Sequence, residues 1–220
     1  MESVLFTPRL KLTLITEAKR GSPEFEWLHE LRSDEKGTWW SIYGKSNSPE
    51  DTEKLLKHLL PTSIDDGTYR VIYAVHKLIE PLTATEPNTT ELIGLVTLKS
   101  VEDESLDLPE DLTLPASAAA TTLTMELGYQ FLPAAWGQGY ATESVTTVFE
   151  TCKKAKSFWQ PFEKVYIRGI INHGNPLSCR VMDKTGMKKR GVYHWTGNVF
   201  LAGEWRQKDD LFIYGMYLLE

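Results

Sequence analysis

Residues 136–143, Trp-Gly-Gln-Gly-Tyr-Ala-Thr-Glu, join a strand-like sequence pattern to a helix-like one. In the preceding residues 123–131, apolar side chains alternate with smaller or polar ones, a period of two that is typical of a β-strand. After the glycines, apolar residues recur at the spacing of one stripe of an amphipathic helix. The members of this stripe are Ala141, Val145, Val148, Phe149 and Cys152. The sequence therefore predicts a strand, a glycine turn and a helix in direct succession.

Gly137 and Gly139 would lie just before the N-terminus of this helix. The N–H groups of a first helical turn lack partners within the helix and carry the positive end of its dipole. Glycine also lets a large ligand approach the backbone closely. A phosphate or pyrophosphate is therefore the predicted ligand. An ordinary strand-to-helix turn is the alternative interpretation, because short Gly-x-Gly sequences are common.

Two known nucleotide-binding motifs fit this turn poorly. A P-loop would end in Gly-Lys-Ser or Gly-Lys-Thr, and that tripeptide does not follow here. A dinucleotide fingerprint needs a third small residue where Thr142 stands and an acidic residue at the end of the next strand. Glu163 lies at about the right distance but precedes the predicted strand 164–170. A phosphate-containing ligand is still expected, and a nucleotide-binding module becomes a lesser alternative.

A second segment, residues 172–187, contains the pattern Asn-x-x-Ser-x-x-Val-x-x-Lys-x-Gly-Met. Together with Gly-x-Gly-Tyr-Ala-Thr-Glu, it resembles the acetyl-CoA-binding core of the GNAT superfamily of N-acetyltransferases, and most closely its RimJ/RimL-like branch. Residues 7–12 resemble the opening strand of that branch, and residues 203–206 and 211–218 resemble its closing strands. The specific motifs are confined to residues 123–187.

This resemblance implies that the chain moves an acetyl group directly from the thioester of acetyl-CoA to a primary amine, on a peptide N-terminus or a small molecule. It implies a GNAT fold, a single α/β domain over residues 1–220 with a twisted mixed sheet of six or seven strands and about four helices. The expected order is β-α-α-β-β-β-α-β-α-β-β, with acyl-CoA in a V-shaped opening between the strand ending near Phe131 and strand 164–170. The alternative is a GNAT-fold acyl-CoA-binding or interaction protein with little or no catalysis.

The resemblance also implies which residues hold acetyl-CoA. Backbone amides of the glycine turn would bind its pyrophosphate, and the second motif would contact its pantetheine arm. Trp136 stands where the superfamily often has Arg or Gln, a departure that is common in this branch. The implied cofactor-binding residues are Leu127, Tyr129, Phe131, Trp136, Gly137, Gln138, Gly139, Tyr140, Ala141, Thr142, Asn172, Asn175 and Ser178.

Two residues are predicted to be catalytic. An alkyl amine with a pKa of about 10 is mostly protonated at neutral pH, so a base is expected. Glu126 is the candidate, because it lies on the polar face of strand 123–131, near where the family places a catalytic carboxylate. A structural carboxylate paired with a core arginine or capping a helix is an equal alternative. Ser178 is expected to position the thiol sulfur in preference to protonating it, because a hydroxyl gives up its proton reluctantly.

Asn175 and Pro176 form a good helix start, with Gly186 as the C-terminal stop. This structural role and the contact with the cofactor are compatible. A nucleophilic pair of Cys179 and His173 is disfavoured, because direct transfer needs no acyl-enzyme.

Earlier in the chain, helices are predicted at 23–31 and 49–60, the second introduced by a Ser-Pro pair that fits a helix cap. Strands are predicted at 69–77 and 91–100. The proline- and threonine-containing residues 78–90 between them are predicted to form a loop.

Acidic residues, prolines and an Ala/Thr-rich end make residues 101–122 a predicted mobile loop within the domain. Trp39, Tyr43 and Trp195 fall in predicted loops or strand ends. In the family, the early helices and the last hairpin border the acceptor groove, so these three residues are predicted acceptor contacts. Ordinary aromatic packing is the alternative.

Charge and cysteine content limit the classes of partner and cofactor that we expect. A net charge of −6 and a pI near 5.5 argue against nucleic acid as a partner and suit a cationic amine. Two cysteines cannot form a disulfide framework, and no metal-ligand spacing links the five histidines. No apolar leader or membrane-length apolar run is present. We expect a soluble, cytoplasmic protein, with a nuclear location left open, that is a monomer or homodimer and needs no metal.

Overall fold

The computed structural model describes residues 1–61, 68–79, 89–102 and 105–220. These residues form one mixed sheet of eight strands in the spatial order β1-β2-β3-β4-β5-β6-β8-β7. Neighbouring strands are antiparallel except β5 and β6, which are parallel. The strands are β1 (Val4–Phe6), β2 (Leu10–Leu14), β3 (Arg70–Leu78), β4 (Thr90–Ser100), β5 (Thr122–Phe131), β6 (Lys164–Asn172), β7 (Lys188–Leu201) and β8 (Glu204–Leu219).

Five α-helices accompany the sheet in the described residues: α1 (Pro23–Ser33), α2 (Pro49–Leu59), α3 (Ala116–Ala119), α4 (Tyr140–Lys154) and α5 (Pro176–Lys184). The predictions of α1 and α2 are confirmed, and both begin with a Ser-Pro pair. In each, the serine side chain accepts a hydrogen bond from a first-turn N–H group, from Phe25 to Ser22 and from Asp51 to Ser48, both at 3.2 Å. Proline at the first helical position has no N–H group that would need a partner.

The prediction of six or seven strands is corrected to eight, because the opening strand is a hairpin. Val4 pairs with Thr13 across a turn at residues 7–9. Pro8 has no N–H group to donate to a sheet, and the Thr7 hydroxyl accepts a hydrogen bond from the Leu10 N–H at 2.9 Å. These two local features reverse the chain where the family resemblance implied a single opening strand at residues 7–12. The one-turn helix α3 was also not predicted.

Helices cover both faces of the sheet. In the predicted apolar stripe of α4, all residues but the half-buried Ala141 are buried against residues of β2 to β6, including Leu12, Val96, Met125 and Ile167. On the opposite face, Phe25, Leu28 and Leu31 of α1 pack with Leu56 of α2 against β3 and β4. Burial on both faces explains why β3 and β4 read as nearly continuous apolar runs.

Two predicted loops fall partly outside the described residues. The predicted loop 78–90 includes residues 80–88, and the predicted mobile loop 101–122 includes residues 103–104, and neither stretch is described. Elsewhere in 101–122, Leu108 and Leu112 are buried against Ile213 of β8. No helix in the described ranges is long and apolar enough to cross a membrane.

Candidate functional site

The parallel strands β5 and β6 separate partway along their length. Their pairing runs from Thr122 and Lys164 to Glu126 and Arg168. Beyond that point, residues 127–131 of β5 pair with β4, and residues 169–172 of β6 pair with β8. The two strands thus form the V-shaped opening that the family resemblance implied. The facing backbone groups of the two strands offer hydrogen bonds to an extended ligand.

The glycine turn lies at the end of the β5 side of this opening. Gly137 and Gly139 have φ angles of 74° and 82°, in the left-handed region that favours glycine. Gly139 is the N-cap of α4 and provides no side-chain hydrogen bond. In contrast, α1, α2 and α5 each begin with a side-chain cap. The first-turn N–H groups of α4 are therefore left for an anion.

The side chains beside the turn bind local backbone carbonyls. The Trp136 indole N–H donates to the carbonyl of Phe131 at 2.8 Å, and the Gln138 amide donates to the carbonyl of Ala134 at 2.6 Å. The Tyr140 ring is buried, and Ala141 and Thr142 are half-buried in the first turn of α4. Backbone groups at this turn, more than side chains, are thus available to a ligand.

Alternation along β5 separates the two faces of the site. Leu127 and Phe131 are buried and Tyr129 packs with them in the core under α4. Gln130 faces the other way, where its amide contacts the carbonyl of Leu31 and accepts a hydrogen bond from Arg32 at 3.2 Å. Glu126 shares this second face by the same alternation.

Glu126 forms an ion pair with Arg168 of β6. Its Oε2 atom lies 2.8 Å from Nη2 and 3.0 Å from Nε of Arg168. The arginine is buried and also donates to the carbonyl of Leu106 at 3.2 Å. The glutamate side chain is 39% exposed, and both contacts with the arginine use the same carboxylate oxygen. Glu126 is therefore both paired with a core arginine and partly exposed to solvent.

The start of α5 lies on the β6 side of the opening. The Asn175 side chain accepts a hydrogen bond from the Ser178 N–H at 3.2 Å and so caps the helix. The Tyr129 hydroxyl donates to the carbonyl of Ser178 at 3.4 Å, a contact that links β5 to α5. Burial raises the pKa of Tyr129 to about 12, so this hydroxyl is protonated at neutral pH.

Asn172 contacts protein groups through both polar atoms of its side chain. Its Nδ2 donates to Asp209 at 2.6 Å, and its Oδ1 accepts from the Gly174 N–H at 2.8 Å. Asp209 also binds Arg206 at 2.8 Å and lies 3.0 Å from Nδ1 of His173. Burial would raise the pKa of Asp209, but hydrogen bonds from Asn172 and Arg206 outweigh burial and lower it.

Sequence reasoning missed this Asp209 cluster. Asp209 follows a lysine and precedes another aspartate, a composition that suggests a solvated hairpin. Its side chain is instead 4% exposed. The antiparallel pairing of β6 with β8 brings it to Asn172, 37 residues away, and no local pattern carries that information.

The predicted acceptor residues lie in two places. The loop after α1 contacts the β7–β8 turn: the Trp39 carbonyl accepts from the Ala202 N–H at 2.9 Å, and its ring lies against Gly203. Tyr43 in the same loop is 71% exposed. Trp195 lies on the outer strand β7, where its ring covers Gly197.

In the part of the chain that the structure describes, no three or more His, Cys, Asp or Glu side chains lie close enough together to hold a metal ion. The described cysteines Cys152 and Cys179 form no disulfide, and the first is buried and the second half-buried.

Comparison with known proteins gives one family match and many structural matches. Residues 9–188 match the family model described as acetyltransferase (GNAT) domain. No curated protein matches the sequence. Among solved structures, 160 chains match.

Three of these structures illustrate the similarity. An acetyltransferase of the GNAT family from Bacillus anthracis is 18% identical, with 98% of each chain covered and a TM-score of 0.55. Ribosomal-protein-S5-alanine acetyltransferase from Vibrio fischeri is 15% identical, covers 98% of this chain and 96% of its own, and has a TM-score of 0.59. Spermidine N-acetyltransferase from Vibrio cholerae, in complex with CoA and spermine, is 16% identical, with 94% and 95% covered and a TM-score of 0.55. At these identities the similarity shows a shared fold.

Proposed function

The chain belongs to the acetyltransferase (GNAT) domain family, and we propose that it transfers the acetyl group of acetyl-CoA directly to a primary amine on a peptide N-terminus or a small molecule. The observation that carries this proposal is the uncapped, glycine-containing start of α4 beside the opening between β5 and β6. A pyrophosphate fits free first-turn N–H groups, and an extended pantetheine arm fits the free edge of β5 at residues 127–131.

In the proposed reaction, the amine nitrogen attacks the thioester carbonyl, an N–C bond forms and the C–S bond breaks. The amine must lose a proton, and the departing thiolate gains one. Glu126 is the proposed base, directly or through a water molecule, because its carboxylate is 39% exposed where β5 and β6 separate. Arg168 holds that carboxylate in place from the buried side.

Ser178 is the proposed partner of the thiol sulfur. It lies in the first turn of α5, and the Tyr129 hydroxyl binds its backbone carbonyl. Positioning is favoured over proton donation for this hydroxyl, because a serine gives up its proton reluctantly. Asn172 and Asn175 stay proposed cofactor contacts that would act together with the hydrogen bonds they make inside the protein.

We propose a primary amine as the acceptor and assign it to no narrower class of compound. The similar structures include proteins named for spermidine and for an alanine of a ribosomal protein, and these names differ in acceptor. We propose membership of the RimJ/RimL-like branch on the motifs of residues 123–187. Trp39, Tyr43 and Trp195 are the proposed acceptor contacts, and Arg206 of the Asp209 cluster lies 5.8 Å from the ring of Trp40, the neighbour of Trp39.

A thiol-release assay tests the function. Acetyl-CoA is supplied with a panel of peptide N-termini, lysine, polyamines, aminoglycosides and amino acids, and free CoA is measured. At least one amine should release thiol well above hydrolysis, and acetyl-CoA should raise the unfolding temperature.

Two outcomes point to the alternatives. Thermal stabilisation by acetyl-CoA with no thiol release for any amine would favour an acyl-CoA-binding protein without catalysis. If ATP or NAD displaced acetyl-CoA in the thermal assay, the glycine turn would belong to a nucleotide-binding module.

A further inference from the structure

Arg9, in the turn between β1 and β2, contacts the start of α4 through three separate interactions. Its Nε and Nη2 atoms bind Oε2 of Glu143 at 2.8 and 2.5 Å. Its Nη1 atom donates to the carbonyl of Gln138 at 3.1 Å. The guanidinium also lies 4.6 Å from the centre of the Tyr140 ring. One side chain thus contacts the glycine turn before α4 and the first turn of α4.

Glu143 creates an electrostatic problem for an anionic ligand at this place. A carboxylate in a first helical turn is stabilised by the helix dipole, but it repels a phosphate that binds the same N–H groups. Here both carboxylate oxygens have partners, since the Thr7 hydroxyl donates to Oε1 at 2.5 Å while Arg9 binds Oε2. The side chain is 20% exposed, so solvent screens its charge only partly. Arg9 therefore neutralises a charge that would oppose the ligand.

The contact with Gln138 has a second, geometric effect. A trans peptide is planar, and its C=O and N–H groups point in opposite directions. Arg9 binds the carbonyl of the peptide between Gln138 and Gly139. The N–H group of Gly139 therefore points away from Arg9, and the bond fixes this orientation before any ligand arrives. Such fixed orientation lowers the entropic cost of binding.

We propose that Arg9 is a positioning residue for the pyrophosphate of acetyl-CoA, acting through Glu143 and Gln138 without contacting the ligand. This inference rests on the proposed function. It assigns part of the cofactor affinity to the first hairpin, outside the residues that carry the binding motifs.

The first test compares two acetyl donors in the variant Arg9→Gln. With acetyl-CoA, we expect KM and Kd to rise about tenfold and kcat to change little, because an unpaired Glu143 repels the pyrophosphate. With S-acetylpantetheine, which lacks the pyrophosphate, we expect kcat/KM to stay within about twofold of the wild type. Equal losses with both donors would overturn the proposal, because a general distortion of the site would affect both.

Arg20→Gln is the matched control. Arg20 is as exposed as Arg9, 48% against 47%, and forms ion pairs with Glu50 and Glu53 of α2, away from the glycine turn. The variant Arg20→Gln removes the same positive charge from the chain, and its kinetics with both acetyl donors should equal those of the wild type. A loss of acetyl-CoA affinity equal to that of Arg9→Gln would reduce the effect to net charge and contradict the proposal.

The second test removes the carboxylate as well. In the double variant Arg9→Gln/Glu143→Gln, acetyl-CoA affinity should recover several-fold over Arg9→Gln, because the repulsive charge is gone. An affinity for acetyl-CoA that stays at the level of Arg9→Gln or falls further would overturn the electrostatic argument, because removal of the carboxylate would then relieve no repulsion. Arg9→Lys, which keeps the charge, serves if Arg9→Gln does not fold, and an intermediate loss confined to acetyl-CoA is expected.

The tests separate this inference from the proposed function. If the wild type neither binds acetyl-CoA nor uses S-acetylpantetheine, the function itself is wrong. If the wild type uses both donors and Arg9→Gln equals it with each, the function stands and the role of Arg9 is wrong.

Discussion

Each side of the V-shaped opening consists of a strand followed by a helix, β5 and α4 on one side and β6 and α5 on the other. On the first side, α4 begins at a glycine that provides no cap. On the second side, Asn175 caps α5, and Asn172 binds Asp209 and the Gly174 N–H. The β5–α4 side thus leaves backbone donors available to a ligand. On the β6–α5 side, the polar side chains form hydrogen bonds within the protein. Two helix starts at one opening can therefore differ in what they leave free, with backbone N–H groups unpaired at α4 and a side-chain cap in place at α5.

The largest effect is expected on the β5–α4 side, for Glu126→Gln. Loss of the proposed base should lower kcat about a thousandfold, within the usual range for general base catalysis, while Kd for acetyl-CoA changes little. Steady-state thiol release and calorimetric binding measure the two quantities. Glu102→Gln is the matched control, since Glu102 pairs at 3.0 Å with the buried Arg70, outside β5 and β6. Unchanged turnover in Glu126→Gln would make the carboxylate purely structural.

The second prediction compares two glycines with positive φ angles, one on each side of the opening. Gly139 precedes α4 and Gly186 follows α5, with φ angles of 82° and 85°. Alanine at either position should cost about 1–2 kcal/mol of unfolding free energy, because a Cβ disfavours this region. Gly139→Ala should also weaken acetyl-CoA binding about a hundredfold, as two charge-assisted hydrogen bonds are misaligned. Equal affinities in the two variants would contradict the contrast between the helix starts.

The third effect concerns the stability of the β6–α5 side. Asp209→Asn should lower the unfolding free energy by about 2 kcal/mol at neutral pH, because a buried, charge-assisted pair with Arg206 is lost. Since the pKa of Asp209 is lowered in the folded protein, its contribution is full above about pH 4 and is lost as pH falls further. Denaturant unfolding from pH 2 to pH 7 should show this acid-side loss in the wild type and less of it in the variant. Parallel curves for the two proteins would mean that the carboxylate stabilises nothing.

The smallest effect is expected for Asn175→Ala, which removes the cap of α5 and should cost about 1 kcal/mol of unfolding free energy. Asn175→Ser should restore most of that stability, since serine also caps helices and adds no charge. Thermal unfolding and acetyl-CoA binding are measured on both. If Asn175→Ser is stable but binds acetyl-CoA at least tenfold more weakly, the Asn175 amide contacts the ligand, and the two sides differ less than their hydrogen bonds indicate.

Local sequence signals predicted much of the fold. The Ser-Pro start of α2 and the alternating pattern of β5 depend on neighbouring residues, and these elements are where the sequence predicted them. The first hairpin was missed because its turn depends on the Thr7 hydroxyl binding the Leu10 N–H, which a hydrophobicity pattern does not contain.

The site was predictable to the extent that it is made of one segment. The glycine turn and the start of α4 are adjacent in sequence, so spacing alone located them. Arg9 and Glu143 are 134 residues apart, and Glu126 and Arg168 are 42 apart. Sequence spacing carries no signal for contacts that arise from strand order and helix packing.

The turn before α4 and the motifs of the family are local features of the sequence, because backbone conformation and helix capping depend on residues a few positions apart. The point where β5 and β6 separate, and the neutralisation of the carboxylates near the opening, follow only from the folded chain. Those properties depend on the sheet register and on partners from distant segments. The electrostatic character of the opening is therefore a property of the folded chain.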